Sequence, residues 1–542
     1  MGKLMWNTPE ALKDLLYELV SWQSRSLTEG ERTFPDKLEA KLSCLEYFKQ
    51  HPEQLELQGT GDGRHAVTAL YKHESAVDTV VLISHFDTVN TEEYGHLEEL
   101  ACEPAALTKA LMDHRNELPE EALRDLDSGD YLFGRGTMDM KTGLALHMSL
   151  LEKASTEDWP VNLLLITVPD EEVDSVGMRA VVPQLVRLKE EYGLDYRLFL
   201  NSEPTFQRPG DENYYIYTGS IGKIMPAALL YGQETHVGNP LSGLTANYMA
   251  TFLTQQMEWN PAFRETDLGE ETPLPISLRQ KDLMTMEYST QTPYRAQILY
   301  NVFLMRRSAS EVMDIFRQEA AEAAAECNRR YQAICKREKV EPVGEVQVLL
   351  YEELIAYAEK KLGKEQVMEF RQDALRHPEW DDRETSIRIV DKLMLHCQEL
   401  GPAMVLLYAT PYYPPVNSSG HQTVKKILEV MKGSAKENLD LDVHQVHYFN
   451  GISDLSYVNY KDEHGDWKSF EKNAPVWGDA YTIPFEDMLK LQAPVLNIGP
   501  FGKDAHKRTE RLHRESAFVH LPHLLETVVR QMMTGNTAAE KQ

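Results

Sequence analysis

Short apolar runs alternate along the chain with stretches whose apolar residues recur at helical spacing. The runs at 79–84 (TVVLIS), 161–168 (VNLLLITV), 196–200 (YRLFL), 403–408 (AMVLLY) and 494–498 (PVLNI) carry no alternating polar face. Such runs are expected of strands covered on both sides, so the pattern predicts an α/β fold with a largely parallel central sheet. Beyond Asp139, the residues Leu144, Met148 and Leu151 fall on one helical face, and a helix is predicted there.

The middle of the chain has a different rhythm. Residues 221–231 and 298–305 read as strands, each followed by a helical segment, 246–258 and 311–333. That order predicts an α+β sandwich inserted into the first domain, and 352–398 adds mostly helical, charge-rich sequence. The expected organisation is a discontinuous main domain at 1–217 and 400–542, with a second domain at 218–399 between its halves.

Composition narrows the function classes. The 542 residues allow two to four domains at about 100–200 residues each. The formal charge of -29 opposes binding to nucleic acid or anionic lipid, since both are held by clustered Lys and Arg. The N-terminal stretch is amphipathic, and no apolar run is long enough to span a bilayer. The five cysteines are scattered without paired spacing and read as reduced thiols of a cytoplasmic protein.

Strong metal-ligand types stand just past the ends of the apolar runs. His85 follows TVVLIS, Glu171 and Glu172 follow VNLLLITVPD, Glu203 follows YRLFLNS, and His506 comes soon after PVLNI. The carboxyl ends of strands in an open α/β sheet line one crevice, so residues this far apart in sequence can share a pocket. Asp139, in the glycine-punctuated loop GRGTMDMKTG, is a fifth candidate. Two histidines with three carboxylates form the mixed nitrogen and oxygen set that suits zinc, leaving one carboxylate as base. Each piece alone is commonplace: a histidine after a strand is usually packed or solvated, and GRG lacks the third glycine of a dinucleotide loop. Their coincidence at strand ends gives them weight.

Together these motifs resemble the ArgE/DapE family of di-zinc exopeptidases and deacylases. SHFDTV at 84–89 is similar to its His-x-Asp motif, implying His85 as a metal ligand and Asp87 as the group that orients it. GRGTMD implies Asp139 as the carboxylate bridging two metals, with a cis peptide after it. VPDEEV implies Glu171 as general base and Glu172 as ligand, and SEPT at 202–205 implies Glu203. The C-terminal ligand falls on His506, with Glu510 four residues later and His513 as the alternative. The implied cofactors are two zinc ions, with cobalt or manganese as substitutes.

The inserted domain resembles the lid of that family. GQETHVGNP at 232–240 implies His236 as a group that polarises the scissile carbonyl, often across a homodimer formed through the lid. Arg306 and Arg307 end the YNVFLMRR run, where related lids place an arginine on a substrate carboxylate. Thr245 stands where the family lid carries asparagine, and the domain is longer than the common lid. YATPYYPPV at 408–416 and GISDLSY at 451–457 resemble arginine-utilisation members of the family. The resemblance implies a hydrolase that cleaves an amide bond of a small N-acyl amino acid or short peptide in arginine-type catabolism. A non-catalytic relative would have lost ligands or the base, all of which this chain retains. A phosphoester-cleaving relative would need more basic groups than the Arg306–Arg307 pair.

Overall fold

A computed structural model describes residues 4–206, 214–283, 290–462 and 464–533. The chain divides into two compact units, one comprising Met1–Ser220, Val416–Tyr460 and Pro484–Gln542, the other Ile221–Pro415 and Lys461–Ile483.

An eight-stranded sheet organises the first unit. Its spatial order is Leu55–Gly59, His65–Tyr71, Asn162–Val168, Asp78–His85, Asp195–Asn201, Val495–Asn497, Tyr214–Tyr217 and Val443–Val446. The four central strands, from Asn162–Val168 to Val495–Asn497, run parallel. Every residue of Asp78–His85 and Asn162–Val168 is buried, which explains why both read as apolar runs without alternation. Helices Pro9–Ser21, Thr142–Glu157 and Leu521–Met533 seal one face. Leu16, Met148, Leu151 and Val528 share a core there with Val80, Leu82, Leu163 and Leu165. Leu165→Ala, at a fully buried position in this core, is expected to cost about 2–5 kcal/mol, read as a lowered urea midpoint.

A second, four-stranded sheet matters more for chemistry. Its order is Tyr131–Phe133, Arg511–His513, Phe501–Lys503 and Thr205–Phe206. Each short strand abuts one of the loops singled out above. Tyr131–Phe133 leads into GRGTMD, Thr205–Phe206 follows Glu203, and the other two flank the loop carrying His506. Pairing these strands gathers three loops distant in sequence.

In the second unit the sheet order is Ile276–Asp282, Arg295–Leu304, Gly222–Tyr231, Ala403–Tyr413 and Gln347–Leu350. Helices Ala246–Met257 and Ala309–Glu338 pack together, and three more, Tyr351–Leu362, Lys364–Leu375 and Asp382–His396, form the charge-rich segment. Two stretches expected in the main domain, 400–415 and 461–483, fall in this unit instead. The physical reason for the first is that Ala403–Tyr413 pairs antiparallel with Gly222–Tyr231 along most of its length. A fully buried strand looks the same in sequence whichever sheet it enters. The five cysteines are free, and among the described residues no helix is long and apolar enough to cross a membrane.

Candidate metal centre

His85 is the last residue of its strand, paired in register with Val168, so the turn carrying Glu171 and Glu172 starts beside it. Asp87 ties the two together. Its Oδ1 accepts the Glu171 N–H at 3.1 Å and its Oδ2 the Glu172 N–H at 3.3 Å, while Ser26 Oγ donates to Oδ2 at 2.7 Å. The backbone oxygen of Asp87 lies 3.1 Å from His85 Nδ1, which turns Nε2 toward the carboxylates.

The GRGTMD loop is fixed from the opposite side. Gly136 has φ 75°, and a Cβ there would come within 2.9 Å of the Thr88 methyl, so only glycine fits this turn. Glu510 accepts the Gly136 N–H at 2.8 Å on Oε1 and an Arg135 Nη1 hydrogen bond at 2.5 Å on Oε2. Arg135, itself buried, also pairs with Glu93 and lies over the Tyr94 ring. The peptide between Asp139 and Met140 is cis.

Asp139 stands at the centre of the cluster. Its Oδ1 is 3.2 Å from His85 Nε2 and its Oδ2 is 3.1 Å from His506 Nε2. On the first side Glu203 Oε1 lies 3.4 Å from His85 Nε2, with Glu171 Oε2 at 3.9 Å. On the other side Glu172 Oε2 lies 3.1 Å from His506 Nε2. All five expected ligands and Glu171 therefore converge. His513 does not join them: it closes the strand Arg511–His513, packs its ring on Tyr131 and accepts the Ser516 N–H.

The charges in this cluster do not balance. Burial drives Glu171 well above the usual carboxylate range, helped by Glu203 and Asp454 and opposed by His85. Burial likewise pushes Glu203 up to about 8 and raises Glu172, where the Asp139 charge adds to it. Asp139 is held low despite burial because His506 and His85 both bond to it. Burial opposes a charged imidazole at His506, yet Asp139 and Glu172 carry it up to about 11.

A pair of divalent cations would satisfy this set. Donor atoms around a tetrahedral ion with bonds of about 2.0–2.1 Å stand about 3.3 Å apart, and the separations here of 3.1–3.4 Å already match. Groups of three donors within 4.8 Å of one another include His85, Glu171 and Glu203, and His85, Asp139 and Glu172. Ligands bind as deprotonated groups, whereas the surroundings in the metal-free chain favour the protonated forms of His85, His506 and Glu203 at pH 7. Metal uptake at pH 7 is therefore expected to release these protons, and affinity to rise with pH. Calorimetric titration in two buffers of different ionisation heat checks this, and uptake without proton release would contradict it.

Some participants carried little signal in sequence. Asp454 belongs to the GISDLSY stretch, to which no chemical role attached; burial pushes its carboxylate up to about 7 against the pull of His85. Arg64, from no motif, donates Nη1 to Asp170 at 2.5 Å and to Glu31 at 3.1 Å, both buried, and so braces the residue before Glu171. His236, Arg306 and Arg307 all lie in the second unit. His236 is exposed, with Nδ1 accepting the Gly238 N–H at 3.0 Å. The Arg306 side chain is 75% exposed and faces Asp267, whereas Arg307 bonds the Ala262 carbonyl.

Histidines and carboxylates converging at the carboxyl ends of parallel strands define a metal-dependent hydrolase of α/β architecture. Residues 81–531 match Peptidase family M20/M25/M40, and the chain belongs to that family. Among its relatives, the chain is 39% identical to YqjN of Bacillus subtilis over 541 residues, covering 98% of each. It is 30% identical to protein RocB of the same organism, over 96% of this chain and 94% of RocB. The fold is shared with an M20 family metallo-carboxypeptidase from Sulfolobus solfataricus, at TM-score 0.56 and 13% identity. That likeness covers 96% of this chain and 99% of the other.

Proposed function

We propose that this chain is a two-zinc amidohydrolase that cleaves the amide bond of a small N-acyl or peptidyl amino acid. The observation that carries the reading is Asp139, whose two oxygens face two different histidines. On this assignment His85 and Glu203 would hold one ion and Glu172 and His506 the other, with Asp139 a ligand available to both. Two such ions supply positive charge that acidifies a water and draws charge from a carbonyl oxygen.

The chain's own residues do the rest. Glu171, raised by burial, takes a proton from the attacking water and hands it to the leaving amine. Asp87 keeps both glutamates and His85 in register, with Glu171 on the His85 side of Asp139 and Glu172 on the His506 side. His236 would stabilise the oxyanion, delivered by closure of its unit or by a partner subunit in a homodimer. Arg306, exposed at the end of its strand, is the better placed of the two arginines to grip a substrate carboxylate. An arginine- or ornithine-type substrate rests on the family resemblance alone, and a cytoplasmic setting on the acidic composition and the scattered, unpaired cysteines.

Metal analysis with a screen of N-acyl amino acids, dipeptides and a phosphoester tests the reading. Zinc-dependent release of an amino acid from one of the first two classes supports it. Turnover of the phosphoester alone, or of none with metal bound, overturns it.

A further inference from the structure

The first unit carries another cluster of metal-binding side chains that shares no residue with the buried centre. His96 sits in the 3-10 turn Glu92–Leu100, His114 follows the helix Pro104–Asp113, and Glu117 closes the turn Arg115–Glu117. One donor atom from each lies within 4.8 Å of the other two. Glu117 Oε1 is 3.0 Å from His114 Nδ1 and 3.8 Å from His96 Nε2, and the two imidazole centroids are 4.6 Å apart.

Three features separate this cluster from a chance surface contact. His114 and Glu117 have i,i+3 spacing, which puts both side chains on one face. His96 comes from a different element, so three donors approach one point from two directions. Glu117 is also held in place: Arg508 Nη2 donates to Oε2 at 3.0 Å, leaving Oε1 turned to the histidines. The donor separations bracket the roughly 3.3 Å expected around a tetrahedral ion, so small side-chain rotations complete the site.

We propose that His96, His114 and Glu117 form a third, solvent-facing metal site that takes one borderline divalent cation, with zinc the expected occupant. Two imidazoles and one carboxylate favour zinc, nickel or copper over magnesium or calcium, which prefer all-oxygen shells. Water completes the coordination, since the site opens to solvent. The ion acts as a staple. It joins two turns of a short-helix segment with its own small core of Tyr94, Leu97, Leu107, Leu111, Leu126 and Phe133. Through Glu117 and Arg508 that staple reaches the loop that carries His506.

The test compares the full-length chain with a His96→Gln/His114→Gln variant, both dialysed against fixed free Zn2+. The wild type is expected to bind one zinc more per chain than the variant. Zinc at tenfold the dissociation constant of that extra site is expected to slow amide hydrogen exchange across residues 92–117 about tenfold in the wild type only. Glu117→Gln, which leaves both imidazoles in place, is expected to weaken the extra site. Because the comparison is a difference, it holds whatever the buried centre contains. Equal zinc content in wild type and double variant overturns the proposal. So does an extra equivalent that leaves exchange across 92–117 unchanged, because the ion would then not staple that segment.

Discussion

Glu171→Gln is expected to keep its metal and its fold while turnover falls about 10²–10⁴-fold, the usual worth of a positioned general base. The substitution preserves shape and removes the proton acceptor. It also leaves intact the backbone N–H that Asp87 receives, so the turn stays in place. Its neighbour should fail differently. Glu172 faces His506 at 3.1 Å on the far side of Asp139, whereas the nearest imidazole to Glu171 is His85 at 3.9 Å. Glu172→Gln exchanges an anionic ligand for a neutral one, so metal content should drop first and activity with it. Metal analysis and turnover on both variants decide the assignment. If Glu171→Gln loses metal while Glu172→Gln keeps it, the two roles are reversed.

The parts of this centre legible in sequence are those that a strand end dictates. His85 and the 171–172 pair sit where two adjacent parallel strands stop, and their apolar runs announce both ends. Glu203 follows from the next strand across in the same way. His506 was harder to read. Its position depends on a four-stranded sheet of two- and three-residue strands, too short to leave a periodicity, and His513 offered the same chemistry nearby. The Arg64, Glu31 and Asp170 network left no trace, because charged residues in sequence carry no mark of whether they are buried. The strand Ala403–Tyr413 illustrates a related limit: hydrophobic pattern reports burial on two faces and says nothing about which sheet supplies the neighbours.

Asp139→Asn tests the bridge itself, and its effect is expected to exceed that of any single terminal ligand. His85→Ala or His506→Ala removes a donor from one side of the cluster only. Asp139 presents Oδ1 to one histidine and Oδ2 to the other, so its replacement weakens both sides at once. The asparagine amide also turns an N–H group toward a position that needs a lone pair. Losing the charge stabilisation of both ions is worth several kcal/mol, which corresponds to a fall in turnover of about 10³-fold or more. Asp139 is ionised at neutral pH, since His506 and His85 outweigh its burial. The exchange therefore removes a full negative charge, and no choice of buffer near neutrality restores it. The fold should survive, because a neutral amide is easier to bury than a carboxylate. Circular dichroism, metal content and turnover measured together separate the outcomes. A folded Asp139→Asn protein that retains two metals and wild-type turnover would remove Asp139 from the bridging position.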